Sequence, residues 1–580
     1  MDRITKISAL LILVFMFFIL VFSSWNDSLT FDEVAHIPAG YSYLKKQDYR
    51  LNPEHPPLIK DLAAFPLLFL NLNLRTDTPA WHKSTNDRQW EVGNDFLYES
   101  GNNPDQILHF SRLPMILLSI FFGWLVFYWV RKRYGDKVGL LTLFFYAMSP
   151  TIIAHSRYVT TDIGAGLGFF MGLITFLNFL KNQTKKNLVM AGLTLGLASL
   201  LKFSIILLIP TYFILAVFWF ILEDYKNLKT TFSNFFKIIY KLLLIGLISI
   251  LVIWPVYQFH VLNYPPEIQL EHAKSILGSA DAPGVNFIIK ISDKPLIRGL
   301  AQYFLGVAMV IQRSGGGNNF YFLGKVSSAA TPFYFPLLYL VKELLPLHIL
   351  TLIALVISLK NIISSPRKKI SSIKEWLRKN FVLAASLIFV SIYLIQAITG
   401  NLNIGVRHVI PALPFICFLT AKQIVSWLEK SFWKKAVVFV LLLWILIETL
   451  WVFPFYLSYY NELAKGTKNG YKIATDSNYD WGQDLKRLKD WIDNYNIDKI
   501  YLDYFGGGSP KYYLGEKYEP WWSAKGQPTK GWFAVSINQL QGAMAKPVKG
   551  FEIKQEDTYL WLKDKQPFFR VGTSIFIYRF

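Results

Sequence analysis

Residues 7–22 read ISALLILVFMFFILVF, and residues 30–36, just beyond them, read TFDEVAH. The first stretch approaches the roughly 20 apolar residues that an α-helix needs to cross a hydrocarbon core. It has no small-residue cleavage site after it, so we expect a retained helix and not a removed signal peptide. Similar apolar runs recur along a chain of 580 residues that is 53% hydrophobic, at 117–130, 242–253 and 381–395. The sequence therefore predicts a polytopic α-helical membrane protein.

The distribution of positive charge predicts the orientation of these helices. The formal net charge is +21, but the basic residues cluster in short connections between apolar runs, at 131–133, 185–186, 367–369 and 434–435. Short Lys/Arg-rich loops stay cytoplasmic, which argues against nucleic-acid binding. We expect about eleven spans, with the N-terminus inside and the C-terminus outside. They are predicted near 7–24, 111–130, 138–155, 162–180, 187–201, 203–222, 238–258, 333–358, 381–398, 409–427 and 436–456.

The composition changes near residue 457. We therefore expect a membrane domain over 1–456, with long outer loops at 25–110 and 259–332, and an extracytoplasmic α/β domain over 457–580. In that domain the pattern predicts a helix over 481–495 and strands near 499–504, 532–537 and 574–580. Cys417 is the single cysteine, so intrachain disulfides are impossible.

Acidic and basic side chains from separate segments converge on the predicted outer face. They are Asp32, Glu33, Glu54, His55, Lys60, Arg157, Asp162, Lys202, Arg407 and His408. A carboxylate there could act as general base on a hydroxyl, and cations could neutralise a departing phosphate. No two aspartates are separated by one residue, so the common metal–diphosphate pair of nucleotide-sugar enzymes is absent. The pattern favours chemistry on a lipid-linked phospho-sugar.

An ordered set of motifs resembles the GT-C class of polyprenyl-phosphate-sugar-dependent glycosyltransferases. More specifically, it resembles the protein O-mannosyltransferases of glycosyltransferase family 39 and the aminoarabinose transferases of lipid A. The motifs are Asp32-Glu33, His55-Pro56-Pro57-Leu58-Ile59-Lys60, Arg157-Tyr158-Val159-Thr160-Thr161-Asp162, Leu200-Leu201-Lys202, Tyr321-Phe322-Leu323-Gly324, Phe335-Pro336 with Lys342, Arg407-His408-Val409-Ile410-Pro411, and Asp476-Ser477-Asn478-Tyr479-Asp480-Trp481-Gly482-Gln483-Asp484.

The resemblance implies roles for the converging residues. Asp32 is implied as the catalytic carboxylate, with Glu33 supporting it or positioning the acceptor and Asp162 as a second acid. His55, Lys60, Arg157, Lys202, Arg407 and His408 are expected near the donor phosphate. Family enzymes generally invert the anomeric centre in one displacement. The aminoarabinose transferases have Glu-Lys where this chain has Glu54-His55. The resemblance therefore leaves open whether a divalent metal binds at Glu54.

The predicted function is transfer of a mannose-like hexose or a modified pentose from a polyprenyl-phosphate donor. The acceptor would be a hydroxyl of a protein, lipid A or an envelope glycan, at the plasma membrane of a prokaryote. The alternative is a transporter, flippase or binding protein for lipid-linked sugars. Transporters usually line a central path and often show internal repeats. Here the charges gather on one side without a visible repeat, which favours the enzyme.

Overall fold

The computed structural model describes residues 2–223, 228–278, 282–364, 370–428, 431–548 and 552–580. The predicted basic loop at 367–369 lies outside these ranges. Within them the chain is mainly α-helical, and its strands lie at 320–327 and after residue 499.

The first twelve helices run through the N-terminal half of the chain. They are α1 (Arg3–Ser24), α2 (Glu33–Lys46), α3 (Leu58–Ala64), α4 (Pro79–His82), α5 (Arg88–Asn94), α6 (Pro104–Tyr134), α7 (Asp136–Met148), α8 (Pro150–Ser156), α9 (Asp162–Lys181), α10 (Lys185–Ser199), α11 (Leu208–Leu222) and α12 (Leu228–His260). Helices α2 to α5 lie in the predicted first outer loop, which thus contains four short helices.

The remaining helices complete the predicted membrane part and continue into the C-terminal part. They are α13 (Pro266–Leu277), α14 (Pro283–Ile291), α15 (Arg298–Gly316), α16 (Tyr334–Lys342), α17 (Leu345–Ile363), α18 (Ile370–Lys379), α19 (Phe381–Thr399), α20 (Leu413–Trp427), α21 (Phe432–Trp451), α22 (Thr467–Gly470), α23 (Leu485–Asn494), α24 (Pro510–Leu514) and α25 (Ile537–Met544).

Each of the eleven predicted spans contains a helix. In the described part of the chain, eight helices are long and apolar enough to cross a membrane, and the bent pair α7–α8, with a 64° break, would make nine. Helix α10 has only 15 residues, and α21 carries Lys434, Lys435 and Glu448. The chain is therefore a multi-pass helical membrane protein, while crossings by α10 and α21 stay predictions.

Two sheets accompany the helices. The strands are β1 (Phe320–Phe322), β2 (Lys325–Ser327), β3 (Ile500–Asp503), β4 (Tyr518–Pro520), β5 (Trp532–Ser536), β6 (Lys546–Val548), β7 (Phe569–Val571) and β8 (Ile575–Arg579). The larger sheet has the order β4-β3-β5-β8-β7, with β3 parallel to β4 and β5 and with β8 antiparallel to β5 and β7. The strands predicted near 499–504, 532–537 and 574–580 correspond to β3, β5 and β8, and the helix predicted over 481–495 is present at Leu485–Asn494, after a turn over 481–484.

The smaller sheet joins two distant parts of the chain. Its order is β1-β2-β6, and β2 pairs in parallel with β6. Strands from the predicted outer loop 259–332 therefore share a sheet with a strand from the C-terminal region. The division into domains at residue 456 stays a prediction.

Close helix packing brings the start of α9 against α3. Gly164 and Gly168 lie on α9, where a β-carbon at Gly164 would come within 2.5 Å of Ile59 Cδ1. A β-carbon at Gly168 would come within 3.2 Å of Ala198 Cβ on α10. Small residues let membrane helices approach closely. The start of α9, which carries Asp162 as its first residue, therefore packs between α3 and α10.

A buried ion pair connects α1, α2 and α6. Glu33 on α2 has a fully buried side chain, and Arg112 on α6 donates to both of its carboxylate oxygens, at 2.9 and 2.7 Å. The carboxylate also accepts the backbone N–H of Thr30 at 2.9 Å and that of Val159 at 3.0 Å. Arg112 further donates to the Ser24 carbonyl at the end of α1, at 3.2 Å. The pair therefore fixes the segment that carries Asp32.

Replacing Arg112 by Met should destabilise the protein strongly. It would leave the Glu33 carboxylate buried without its cation, a loss of roughly 3–5 kcal/mol in comparable buried pairs. We expect a lower unfolding temperature by tryptophan fluorescence in detergent. Lys489→Met is the control, because the pair of Lys489 with Asp493 is nearly half exposed and such pairs contribute about 0–1 kcal/mol. Equal unfolding temperatures for the two variants would contradict this account.

Candidate active site

Four side chains of alternating charge form a line of ion pairs. Asp32 precedes α2 without capping it through its side chain. Instead, its Oδ2 accepts from Arg407 Nη1 at 2.8 Å. The same Nη1 lies 3.5 Å from Asp162 Oδ2, and Asp162 Oδ1 accepts from Lys202 Nζ at 2.6 Å. Of the two acids, Asp162 is buried, whereas the Asp32 side chain is 22% exposed. The structure thus brings together four of the residues predicted from separate segments.

The position of Arg407 depends on the C-terminal motif. Arg407 lies in a 3-10 turn before α20, and its guanidinium lies 4.3 Å from the centroid of a Trp481 ring. The backbone before it is held by two neighbours: Asn478 Oδ1 accepts the Val406 N–H at 2.8 Å, and Ser477 Oγ donates to the Ile404 carbonyl at 2.7 Å. Two motifs predicted from the sequence, at 407–411 and 476–484, are therefore in contact around Arg407.

The C-terminal region also binds the segment that carries Asp32. The N–H of Ser28 donates to the Gln483 carbonyl at 2.9 Å, and the N–H of Phe31 donates to the Trp481 carbonyl at 3.1 Å. A β-carbon at Gly507 would lie 2.3 Å from the Thr30 carbonyl oxygen, so this close approach requires glycine. Both partners of the Asp32–Arg407 pair are thus positioned by the same region.

A cavity of about 340 Å³ has Lys202 in its lining. Its polar and charged lining includes Glu54, His55, Lys202, Arg313 and His408, and its apolar lining includes Phe203, Ile206, Leu207, Met309, Val310 and Phe335. A cavity lined by both cationic and apolar side chains matches the two chemistries of a lipid phosphate. His55 and His408 therefore share one space with Lys202, as the sequence predicts.

The donor set around Glu54 does not fit a metal ion. Its carboxylate accepts from Gln89 Nε2 at 3.2 Å and from Asn86 Nδ2 at 3.5 Å, and Arg313 Nη1 lies 3.3 Å from its other oxygen. Two amide donors contact one oxygen of this carboxylate and the guanidinium contacts the other, so the groups around it are hydrogen-bond donors and not metal ligands. Within the described ranges, no three His, Cys, Asp or Glu side chains form a group that could hold a metal. We derive no step through a metal.

His55 contributes to the cavity as a neutral ring. Burial, reinforced by the neighbouring His36, Lys60, Lys202 and Arg313, lowers the pKa of His55 well below its ordinary value. The His36 ring lies 5.1 Å away, centroid to centroid, and its Nδ1 is 2.8 Å from the Val159 carbonyl oxygen. At neutral pH His55 can therefore offer hydrogen bonds but no charge.

Lys60 and Arg157, both predicted near the phosphate, have buried partners elsewhere. Lys60 donates to the carbonyls of Asn52 and His55, each at 2.8 Å, so it shapes the loop that carries His55. Arg157 lies 3.3 Å from Asp27 and donates to the Pro454 carbonyl at 3.3 Å. Both side chains are buried and, unlike Lys202, neither lines the cavity, so they are not available as phosphate ligands.

Asp476 and Arg313 are functional candidates to which the sequence analysis assigned no role. Desolvation raises the pKa of Asp476 to about 6, and the nearby Asp32 carboxylate adds to this effect, while Arg407 opposes it. Asp476 begins the motif at 476–484, and this motif is the sequence signal that could have identified it as a candidate. Arg313, near the end of α15, had no motif around it. It lines the cavity only because α15 packs against the turn that follows Lys202.

Lys342, from another quoted motif, has a structural position. Its ammonium donates to the carbonyls of Leu457, Tyr459 and Asn478, each at 2.7 Å. This buried lysine therefore ties α16 to the start of the C-terminal region.

Comparisons with solved structures give distant likenesses. ArnT from Cupriavidus metallidurans, bound to undecaprenyl phosphate, is 11% identical over 98% of this chain and 97% of its own, with a TM-score of 0.46. The Archaeoglobus fulgidus oligosaccharyltransferase, in complex with Zn and sulfate, is 13% identical over 88% and 62%, with a TM-score of 0.42.

The S. cerevisiae protein O-mannosyltransferase Pmt1–Pmt2 complex, bound to the sugar donor, is 19% identical over 45% of this chain, with a TM-score of 0.33. The match spans 34% of that chain's length. No curated protein matches this chain.

A family model supports the resemblance over part of the chain. Residues 108–255 match the model described as dolichyl-phosphate-mannose-protein mannosyltransferase. Asp162 and Lys202 fall inside this range, whereas Asp32, His55 and Arg407 fall outside it. Residues 108–255 thus carry the pattern of that mannosyltransferase family, which confirms the predicted resemblance to GT-C glycosyltransferases.

Proposed function

We propose that this chain is a membrane glycosyltransferase that moves a monosaccharide from a polyprenyl-phosphate donor to a hydroxyl acceptor. One observation carries the proposal. A partly exposed carboxylate, Asp32, ends a line of ion pairs whose other end, Lys202, lines an amphipathic cavity. The match of residues 108–255 to a mannosyltransferase family supports it.

The cavity supplies the contacts that the donor needs. The apolar wall accommodates the first prenyl units, and the phosphate lies between Lys202 and Arg313. Lys202 is already paired with Asp162, so that carboxylate neutralises part of its charge, and the incoming phosphate is a second anionic partner. Arg313, which is 46% exposed and only loosely paired with Glu54 at 3.3 Å, is free to turn toward it. His55 and His408 add hydrogen bonds.

Asp32 acts as the general base. It takes the proton of the acceptor hydroxyl, whose oxygen attacks the anomeric carbon while the bond from that carbon to the phosphate oxygen breaks. The bonding electrons leave with the polyprenyl phosphate, and Lys202 and Arg313 stabilise the developing charge. One displacement inverts the anomeric centre. Arg407 and Asp162 hold Asp32 and Lys202 at the two ends of the reacting group.

Charge and predicted topology support the orientation that we propose in the membrane. We propose a prokaryotic plasma membrane, with the N-terminus cytoplasmic and the C-terminal region outside. The acceptor is a protein, lipid A or an envelope glycan. The basic residues at 131–133, 185–186 and 434–435 support this orientation through the preference of short basic loops for the cytoplasm.

Replacing Asp32 by Asn should abolish most of the transfer. Removing a general base lowers kcat by about 10²–10⁴-fold, while the amide keeps the shape of the side chain. The measurement is release of polyprenyl phosphate from a panel of polyprenyl-phosphate sugars, with an envelope extract as acceptor. Asp77→Asn, an exposed aspartate of the same predicted loop, is the matched control.

Two results would count against this mechanism. Unchanged turnover in Asp32→Asn would remove Asp32 from it. Binding of the donor without release, in folded wild-type protein with every acceptor extract, would favour a transporter or binding protein.

Replacing Arg313 by Met should weaken donor use. Loss of a charge-assisted contact of about 1.5–3 kcal/mol corresponds to at least a tenfold rise in the donor KM, with a smaller change in kcat. Lys325→Met, an exposed cation on β2, should leave both constants unchanged. An unaltered KM in Arg313→Met would place the phosphate elsewhere.

Cysteine labelling tests the orientation. The single native cysteine, Cys417, is buried, so labelling at an introduced cysteine is expected to dominate. In right-side-out vesicles a membrane-impermeant maleimide should label Asp77→Cys, while Lys186→Cys should react only after the membrane is opened. The reverse pattern would invert the proposed topology.

A further inference from the structure

A second, larger cavity lies apart from the candidate active site. Its volume is about 730 Å³, within the roughly 300–1,000 Å³ typical of small-molecule sites. Side chains of α17, α19 and α20 line most of it, and Trp376 of α18 joins them. The apolar lining includes Leu355, Leu383, Leu387, Val390, Ile416 and Leu419.

The two cavities lie on different faces and at different ends of α19. Leu383, Leu387 and Val390 line the second cavity, and they share one helix face near the start of α19. Tyr393 and Gln396 line the first cavity, near the end of α19. At about 3.6 residues per turn, the two faces differ by roughly a third of a turn. The second cavity is therefore not an extension of the first.

Polar side chains gather at one end of the second cavity. Asn361 lies near the end of α17, Asn380 precedes α19, and Lys422 and Gln423 lie near the end of α20. This is the end of the helices beside Lys434, which donates to the Trp427 carbonyl at 3.4 Å. The cavity is thus apolar along its length and polar at the predicted cytoplasmic end.

Two of these polar groups lack a partner. The Lys422 ammonium makes no hydrogen bond or ion pair with any residue that the structure describes, and it is the single charge in the cavity lining. Gln423 is 9% exposed, and its Nε2 is buried without a hydrogen-bond acceptor in the described structure. Such a buried donor costs free energy unless it is satisfied. A cation and an unused amide donor together are complementary to an anionic group with oxygen acceptors.

The open side of the cavity faces the region of the bilayer. Leu355 and Leu387 both line it and are each 52% exposed. An apolar ligand can therefore enter laterally between α17 and α19. Basic pockets between membrane helices on the cytoplasmic side are known to take anionic lipid head groups.

We propose that this cavity is a binding site for a membrane phospholipid with an anionic head group. The phosphate contacts Lys422 and Gln423, and an acyl chain lies along α17, α19 and α20. This site is independent of the proposed sugar transfer, because its lining shares no residue with the first cavity.

The test uses the full-length protein in detergent, with phosphatidylglycerol and phosphatidylcholine as probes. Tryptophan fluorescence measures the unfolding temperature as lipid is added, and native mass spectrometry counts the lipids retained. Phosphatidylglycerol should raise the unfolding temperature more than phosphatidylcholine and should remain bound. In Lys422→Met its apparent affinity should fall at least about tenfold, whereas Lys186→Met, an exposed basic-loop control, should behave as wild type.

Several outcomes would overturn the proposal. They are equal stabilisation by both lipids, undiminished binding of phosphatidylglycerol to Lys422→Met, and the same stabilisation by inorganic phosphate alone. If Lys422→Met does not fold, Gln423→Met and retention of lipid by the wild type decide the question. Loss of retained phosphatidylglycerol in Gln423→Met supports the site, and unchanged retention rejects it.

Discussion

The guanidinium of Arg407 is the charge on which the candidate site depends. It lies 2.8 Å from the Asp32 carboxylate and 3.5 Å from that of Asp162. Two carboxylates so close together in a partly buried site would repel each other, and a buried charge without a partner is costly. A single planar cation between them offsets this repulsion. It also makes the position of each acid depend on the same side chain.

Arg407 in turn depends on residues far along the chain. The backbone around it is held by Ser477 and Asn478, and the ring of Trp481 lies beside its guanidinium. The same region accepts backbone hydrogen bonds from Ser28 and Phe31. The C-terminal region is therefore a part of the site's framework, and the pairing of β2 with β6 strengthens its connection to the helices.

The sequence predicted the helical membrane architecture and the convergence of Asp32, Asp162, Lys202 and Arg407, because hydropathy and basic loops place the ends of consecutive helices on one face. It did not predict which cations remain available. Lys60 turns inward because the loop carbonyls of Asn52 and His55 surround it. Arg157 turns toward Asp27. Whether a cation remains available depends on the direction of its side chain and on partners from distant segments. No local sequence pattern indicates either of them.

Glu33 is another residue whose side-chain direction could not be predicted from the sequence. It stands next to Asp32 in a motif that suggests shared chemistry, yet its side chain points to Arg112 and is fully buried. Asp32 and Glu33 are adjacent at the start of α2, yet the first carboxylate is partly exposed and the second is enclosed. Arg313 is the opposite case, since a cation without any motif enters the cavity through the packing of α15.

The distance between Asp32 and Arg407 along the chain has a consequence for biosynthesis. The two residues are 375 positions apart, and at about 5–20 residues per second a ribosome needs roughly 20–75 s to translate the interval. During that time α1 and Asp32 have already left the ribosome, while Arg407 and the segment around Trp481 do not yet exist. The nascent chain therefore enters its membrane with an incomplete site, and the Asp32–Arg407 pair can form only after most of the chain has been made.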